Sequence, residues 1–214
     1  IITFDVQLVL DTYISSLVDQ VDNAREELRL YSDSLQEKVN EKTKQLKELS
    51  LRDSLTGLFN QHAFYDHLRR EIANAERYHE PLTLFYFDLN GFKQLNDTKG
   101  HQAGDEILSL VGEIIQKAIR ETDIGCRYGG DEFMALLPSL DEKKDAATVA
   151  RKLLTSLETP FRFAGCDLRV SIGTSIGIAL YPENGDEAET LVERADMAMY
   201  AVKREKKNGF RFYS

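Results

Sequence analysis

Between the apolar segments Ile124-Gly125-Cys126-Arg127-Tyr128 and Phe133-Met134-Ala135-Leu136-Leu137 the chain places Gly129-Gly130-Asp131-Glu132. Short apolar runs separated by paired glycines read as a β-hairpin with the glycines as its turn, so this stretch commits the fold to two neighbouring antiparallel strands. It also puts two adjacent carboxylates at an exposed tip. Glycine has no Cβ and lets a bulky anion approach the backbone, while carboxylate oxygens are what Mg2+ prefers. The combination suits metal-bound phosphate chemistry. Taken alone, an ordinary Gly-Gly-Asp hairpin accounts for it equally well.

Composition narrows the classes that can surround such a hairpin. With 214 residues, 42% hydrophobic and 29% charged, the chain has the balance of a soluble globular protein of one full domain plus an extension. A net charge of -9 argues against a nucleic-acid binder, because phosphate backbones are gripped through basic surfaces. An anionic nucleotide would then need local lysines and metal. Cys126 and Cys166 form no CxxC pair, which suggests a reducing compartment and no zinc site, with Cys126 packed in a strand. No apolar run approaches the roughly 20 residues that span a bilayer, and no signal segment opens the chain, so a cytosolic protein is expected. A start at Ile1 rather than methionine reads as a fragment of a longer protein.

From about residue 14 to 50 there is neither Gly nor Pro, and Leu17, Val21, Ala24, Leu28, Tyr31 and Leu35 alternate by four and three. That is the seam of a coiled coil. Beyond Leu35 the seam either runs through Lys38, Lys42 and Gln45 or shifts to Val39, Leu46 and Leu49, a stutter that would locally unwind the coil. A single amphipathic helix packed on its own domain would show the same periodicity, but the charged opposite face favours pairing with a second copy.

The remainder, 51–214, alternates helical and extended patterns: a helix at about 61–78, a strand at 82–88, a helix at 103–120 and the hairpin. A helix at 141–157 follows, then strands at 161–164, 167–171 and 174–180, a helix at 187–205 and a short strand at 210–213. This predicts one α/β (α+β) sandwich with a mainly antiparallel central sheet flanked by helices. Asp88 ends the strongly apolar run Phe85-Tyr86-Phe87, where an acid is costly to bury unless it meets a cation.

Several stretches resemble one family. The hairpin carries all five letters of the GGDEF signature, that of the diguanylate cyclases, which join two GTP into cyclic di-GMP. Asp53-Ser54-Leu55-Thr56-Gly57-Leu58-Phe59-Asn60 is similar to the family's opening Asp-x-Leu-Thr-Gly-Leu-x-Asn, although Gln61 and His62 stand where an arginine commonly follows. Asp88-Leu89-Asn90-Gly91-Phe92-Lys93-Gln94-Leu95-Asn96-Asp97, His101-Gln102-Ala103-Gly104-Asp105 and Ala195-Asp196-Met197-Ala198-Met199-Tyr200-Ala201-Val202-Lys203 resemble its later motifs in order. More weakly, residues 4–14 look like the last helix of the globin part of globin-coupled sensors.

The resemblance implies a nucleotidyl-cyclase-like fold and a Mg2+-dependent nucleotidyltransferase in the bacterial cytoplasm. It implies two Mg2+ per GTP site, with Mn2+ able to substitute. Asp88 and Asp131 would be the side-chain ligands, the Leu89 carbonyl a third, and Glu132 would assist. Asp131 would accept the proton, with Glu132 beside it in the catalytic pair. Substrate would contact Gly129, Gly130, the Gly91-Phe92-Lys93 turn and His101, with Asn96 and Asp105 recognising guanine and Lys203 and Lys207 at the triphosphate. Arg120 and Asp123 have the Arg-x-x-Asp form of the product-inhibition site, with Arg151 supplementary. Blander roles compete: Asp105 as a helix N-terminal charge, the two lysines as helix-end dipole partners, and Arg120–Asp123 as an exposed ion pair. Expected partners are GTP, cyclic di-GMP as product and inhibitor, a second copy through the N-terminal helix, and an upstream sensor domain. Nucleic acid and membrane are not expected. A catalytically silent receptor for cyclic di-GMP or GTP is the rival reading, and a dimerisation and signalling module a third.

Overall fold

The computed structural model describes residues 6–49, 51–140, 143–162, 169–205 and 208–214. The chain forms two compact units that divide between residues 50 and 51. The first is one helix, α1 (Val6–Leu49), 44 residues long. It leaves Tyr13, Leu17, Leu28, Tyr31, Leu35 and Val39 largely open to solvent. No helix among the described residues is long and apolar enough to cross a membrane.

The second unit runs β1 (Phe59–Asn60), α2 (Gln61–Tyr78), β2 (Leu82–Asn90), α3 (Phe92–Lys99), α4 (His101–Ala118), β3 (Ile124–Gly129), β4 (Glu132–Pro138) and α5 (Lys143–Glu158). Then come β5 (Phe161–Arg162), β6 (Arg169–Val170), β7 (Gly173–Tyr181), α6 (Ala188–Arg204) and β8 (Gly209–Phe212). Six strands form a sheet in the order β1-β3-β4-β2-β7-β8, and β5 pairs with β6 separately. The four inner strands are antiparallel, whereas β1 and β8 join the edges in parallel. The expectation of a mainly antiparallel sheet between helices holds.

Period-two alternation sorts the central strand between two cores. Phe85, Phe87 and Leu89 of β2 pack with Ile107, Val111 and Ile115 of α4 and Leu153 of α5. Leu82, Leu84 and Tyr86 pack with Phe64 and Leu68 of α2 and Leu191, Ala195 and Met199 of α6. Asp88 has the parity of the second set, so it emerges towards α6. Cys126 is fully buried on that same side.

Two local readings change. The two glycines are not the turn: Gly129 still pairs with Glu132, leaving Gly130-Asp131 as the two-residue connection, with a bulge between Arg127 and Gly129. Gly130 takes φ 55°, a left-handed angle suited to glycine. The helix expected from about 103 begins at His101, so Asp105 lies in its second turn and the first turn holds no acid. A dipole role for Asp105 weakens accordingly, since that effect falls off within the first turn. The last helix ends at Arg204, and Lys207 and Cys166 lie outside the described residues.

Candidate active site

The two ends of β2 and β4 meet at the acids. Asp88 stands directly opposite Glu132 in the β2–β4 ladder, and the Leu89 N–H donates to the Asp131 carbonyl at 3.3 Å. Like charges opposite one another are unfavourable unless something neutralises them. Part of that comes from α6: Lys203 Nζ lies 2.7 Å from Asp88 Oδ2. Asp88 is 4% exposed, and its Oδ1 is buried without a partner among the described residues.

Burial pushes the Asp88 carboxyl above the ordinary range, against the pull of Lys203, and Asp131 and Asp196 add to the rise. Glu132 is raised by burial too, opposed by a hydrogen bond from Tyr86, with Asp88, Asp196 and Asp131 adding their repulsion. Burial by itself would lower Lys203, but the Asp88 contact, then Asp131 and Glu132, outweigh it and hold the ammonium firmly protonated. Asp196 is a fourth acid at this site that the motif reading did not single out. Its position seven residues before Lys203, two turns along one helix face, was the available signal.

Arg127 holds the hairpin tip from below. Its Nε and Nη2 both donate to the Gly130 carbonyl, at 3.1 and 2.9 Å, and its Nη1 reaches Asp53 at 3.2 Å. Asp53 also accepts from the Thr56 N–H and hydroxyl, at 2.9 and 2.8 Å. Burial would raise the Asp53 carboxyl, yet Thr56 and Arg127 together keep it below the ordinary range. The opening Asp-x-Leu-Thr stretch is therefore wired to the carbonyl beside Asp131. A Cβ placed on Gly129 or Gly130 would meet no atom within 4 Å, so the upper side of the tip is open.

Beyond Asn90 the chain turns through Gly91, φ 81°, into α3, whose start has no side-chain cap. The Phe92 side chain is buried in the α4 core, so only its backbone faces the turn, while Lys93 is exposed. Asn96 packs against Gly104: a Cβ on Gly104 would lie 1.9 Å from Asn96 Oδ1, an atom that is itself buried without a partner among the described residues. His101 and Asp105 are exposed on α4 beside this contact. Gly104→Ala should therefore swing the Asn96 amide away without unfolding the protein, since alanine is the better helix former by about 1 kcal/mol. The expected result is an unchanged or higher melting temperature, read by thermal melts.

Asp123 folds back so that Oδ2 accepts the Arg120 N–H at 2.8 Å, and the Arg120 guanidinium is left exposed. Burial raises the Asp123 carboxyl, opposed by that bond. Arg151 lies over the Phe210 ring at 5.7 Å, and Lys152 beside it on α5 reaches the end of α4, donating to the Lys117 and Ala118 carbonyls.

Among the described residues no three His, Cys, Asp or Glu side chains converge as a self-sufficient metal cage. An orphaned carboxylate oxygen beside two further acids fits Mg2+, which is commonly held by one or two carboxylates and completed by substrate phosphate oxygens.

The sequence pattern described as diguanylate cyclase, GGDEF domain, matches residues 50–209. The chain belongs to the GGDEF family. The diguanylate cyclase TpbB of Pseudomonas aeruginosa is 38% identical over 173 residues, which make up 81% of this chain and 40% of TpbB. The GGDEF domain of TpbB alone, as a solved structure, aligns with a TM-score of 0.74 at 39% identity, covering 76% of this chain and 94% of that one. The coiled coil and GGDEF domain of DgcB from Caulobacter crescentus, solved in complex with c-di-GMP, align with a TM-score of 0.79 at 29% identity. They cover 87% of this chain and 98% of that one. This GGDEF chain thus spans well under half the length of the curated relative.

Proposed function

We propose that this GGDEF chain is a cytosolic diguanylate cyclase, condensing two GTP into cyclic di-GMP with release of two pyrophosphates. The observation that carries the reading is the meeting of Asp88, Asp131 and Glu132 at the joined ends of β2 and β4, with Lys203 as their counter-charge. Bound Mg2+ would activate a ribose 3′-hydroxyl and offset charge on the α-phosphate. Asp88 and Asp131, with the Leu89 carbonyl and Glu132, are the groups that would hold it. Asp131, on the open tip, accepts the 3′-hydroxyl proton. The uncapped N–H groups of the Gly91–Lys93 turn and Lys203 hold phosphate oxygens, as Lys207 does by resemblance. Asn96 and Asp105 accept from guanine's N1–H and amino groups, where adenine offers an acceptor instead.

One such site holds one GTP, and each 3′-hydroxyl must attack the other's α-phosphate. Two chains must therefore face each other, and the apolar residues left open on α1 suit pairing with a second copy. Arg120 and Asp123 are proposed as the product-inhibition site. Arginine can grip guanine's O6 and N7 edge, and an exposed guanidinium is free to do so.

The test is incubation of the purified chain with GTP and Mg2+ and chromatography of the products. Cyclic di-GMP and pyrophosphate are expected, with specific activity rising with protein concentration, slowing when product is added, and absent in Asp131→Ala. Pyrophosphate without the cyclic dinucleotide would sink this reading, and tight GTP binding without turnover would favour a silent receptor.

A further inference from the structure

Where the β2–β7 ladder ends, at the Asn90–Gly173 pair, a chain of side-chain hydrogen bonds continues it. The Ser175 hydroxyl donates to Asn90 Oδ1 at 3.0 Å, Asn90 Nδ2 donates to Asn208 Oδ1 at 3.1 Å, and Asn208 Nδ2 donates to Glu158 Oε1 at 3.2 Å. The carboxylate sets the direction of the whole series. An ionised Glu158 can only accept, so Asn208 must present its nitrogen there and its oxygen to Asn90, whose oxygen is then left for Ser175. Each link thereby polarises the next in the same sense.

Asn208 is also seated sterically. A Cβ on Gly173 would lie 1.9 Å from Asn208 Oδ1, so the amide occupies the space that any other residue at 173 would fill. Gly91, the residue after Asn90, has a left-handed backbone and begins α3 without a side-chain cap. Its orientation is consequently set by its two neighbours. Phe92 is anchored in the α4 core on one side, and Asn90 is anchored by Ser175 and Asn208 on the other.

We infer that Asn208 is a positioning residue for the triphosphate end of the site, holding the Asn90–Gly91 turn through the Ser175–Asn90–Asn208–Glu158 chain. The inference rests on the reading of that turn as a phosphate holder. Asn208 itself touches neither phosphate nor metal in this role. Its loss should loosen the aim of the α3 N–H groups rather than the chemical step.

The experiment measures binding of α,β-methylene GTP with Mg2+ by calorimetry, alongside turnover of GTP, in the full chain. Asn208→Ala is expected to weaken analogue binding and raise KM roughly fivefold, the worth of about one hydrogen bond, with kcat within about twofold and the melting temperature unmoved. Gly173→Ala should act in the same direction by pushing the amide off its seat. N208D alone sets two carboxylates against each other and should weaken binding further. N208D combined with E158Q lets both outer amides donate to the new carboxylate and should return binding to within about twofold of the parent protein. Unchanged binding and KM in Asn208→Ala overturns the inference, as does a parallel fall in melting temperature, binding and kcat that N208D with E158Q fails to rescue. A parent chain that binds the analogue but forms no cyclic dinucleotide removes the proposed reaction while the binding series still decides the role of Asn208. Failure of the parent chain to bind the analogue removes both.

Discussion

Asp88→Asn is expected to lower cyclic di-GMP formation by about a thousandfold or more, the scale lost when a charge-stabilising group is removed from a reacting phosphate. An amide oxygen is neutral and a poor ligand for a hard cation, and Lys203 loses the carboxylate it lies against. Stability should move the other way. The folded-state pKa of Asp88 is raised above its unfolded value, so the folded chain binds that proton more tightly. Ionisation therefore costs stability as pH rises through that window. Lys203 is half exposed and can turn to water when its partner goes. Turnover assays paired with thermal melts at pH 7 should find the variant inactive and melting at or above the parent temperature. A variant that melts well below the parent would show that Asp88 serves the fold.

The second large effect belongs to a residue with no chemistry. Gly177 in β7 lies under α6, and a Cβ there would sit 1.9 Å from the Ala195 carbonyl oxygen and 2.3 Å from the Met199 nitrogen. Both are backbone atoms of the helix that carries Asp196 and Lys203, so relief requires the helix to move as a body. Overpacking of this kind costs up to about 3 kcal/mol. For a chain of this size Gly177→Ala should lower the melting temperature by about 10 °C. Activity should fall as well, because lifting α6 draws Lys203 away from Asp88. Thermal melts would reveal the first effect and GTP turnover at a temperature where the variant stays folded the second.

How legible this was in the sequence depended on how many neighbours spoke for each residue. The Asp88 strand could be read because the run from Leu82 to Phe87, apolar or aromatic at every position but Thr83, admits few alternatives, and its end was marked by the acid. The long helix was readable from the absence of Gly and Pro. The short helix α3 was not, since Asn96, Asp97 and Thr98 are poor helix formers. It exists because Phe92 is buried on α4 and Asn96 fits against Gly104, contacts that no local pattern announces. The place of the hairpin turn slipped by one residue for a similar reason. Two glycines look equivalent in sequence, and it takes the bulge after Arg127 and its bonds to the Gly130 carbonyl to make Gly130-Asp131 the connection. The contact of Arg151 was hidden for another reason: Phe210, whose ring its guanidinium overlies, is nearly sixty residues further on. Asp53 was recognised as part of a motif without a task, and only the folded chain shows that its carboxylate meets Arg127.

The alternation of β2 has a consequence for how such a chain can change over time. With β4 on one side and β7 on the other, β2 behaves like a ratchet whose teeth are two residues apart. Gaining or losing a single residue between Leu82 and Asp88 would point the acid into the α4–α5 core and a phenylalanine at Lys203. Gaining or losing two would keep the parity but carry the acid off the end of the sheet or back into it. A change of length can therefore be absorbed only at the far end of the strand, beyond Pro81, because pairing on both sides fixes the distance from Leu82 to Asp88.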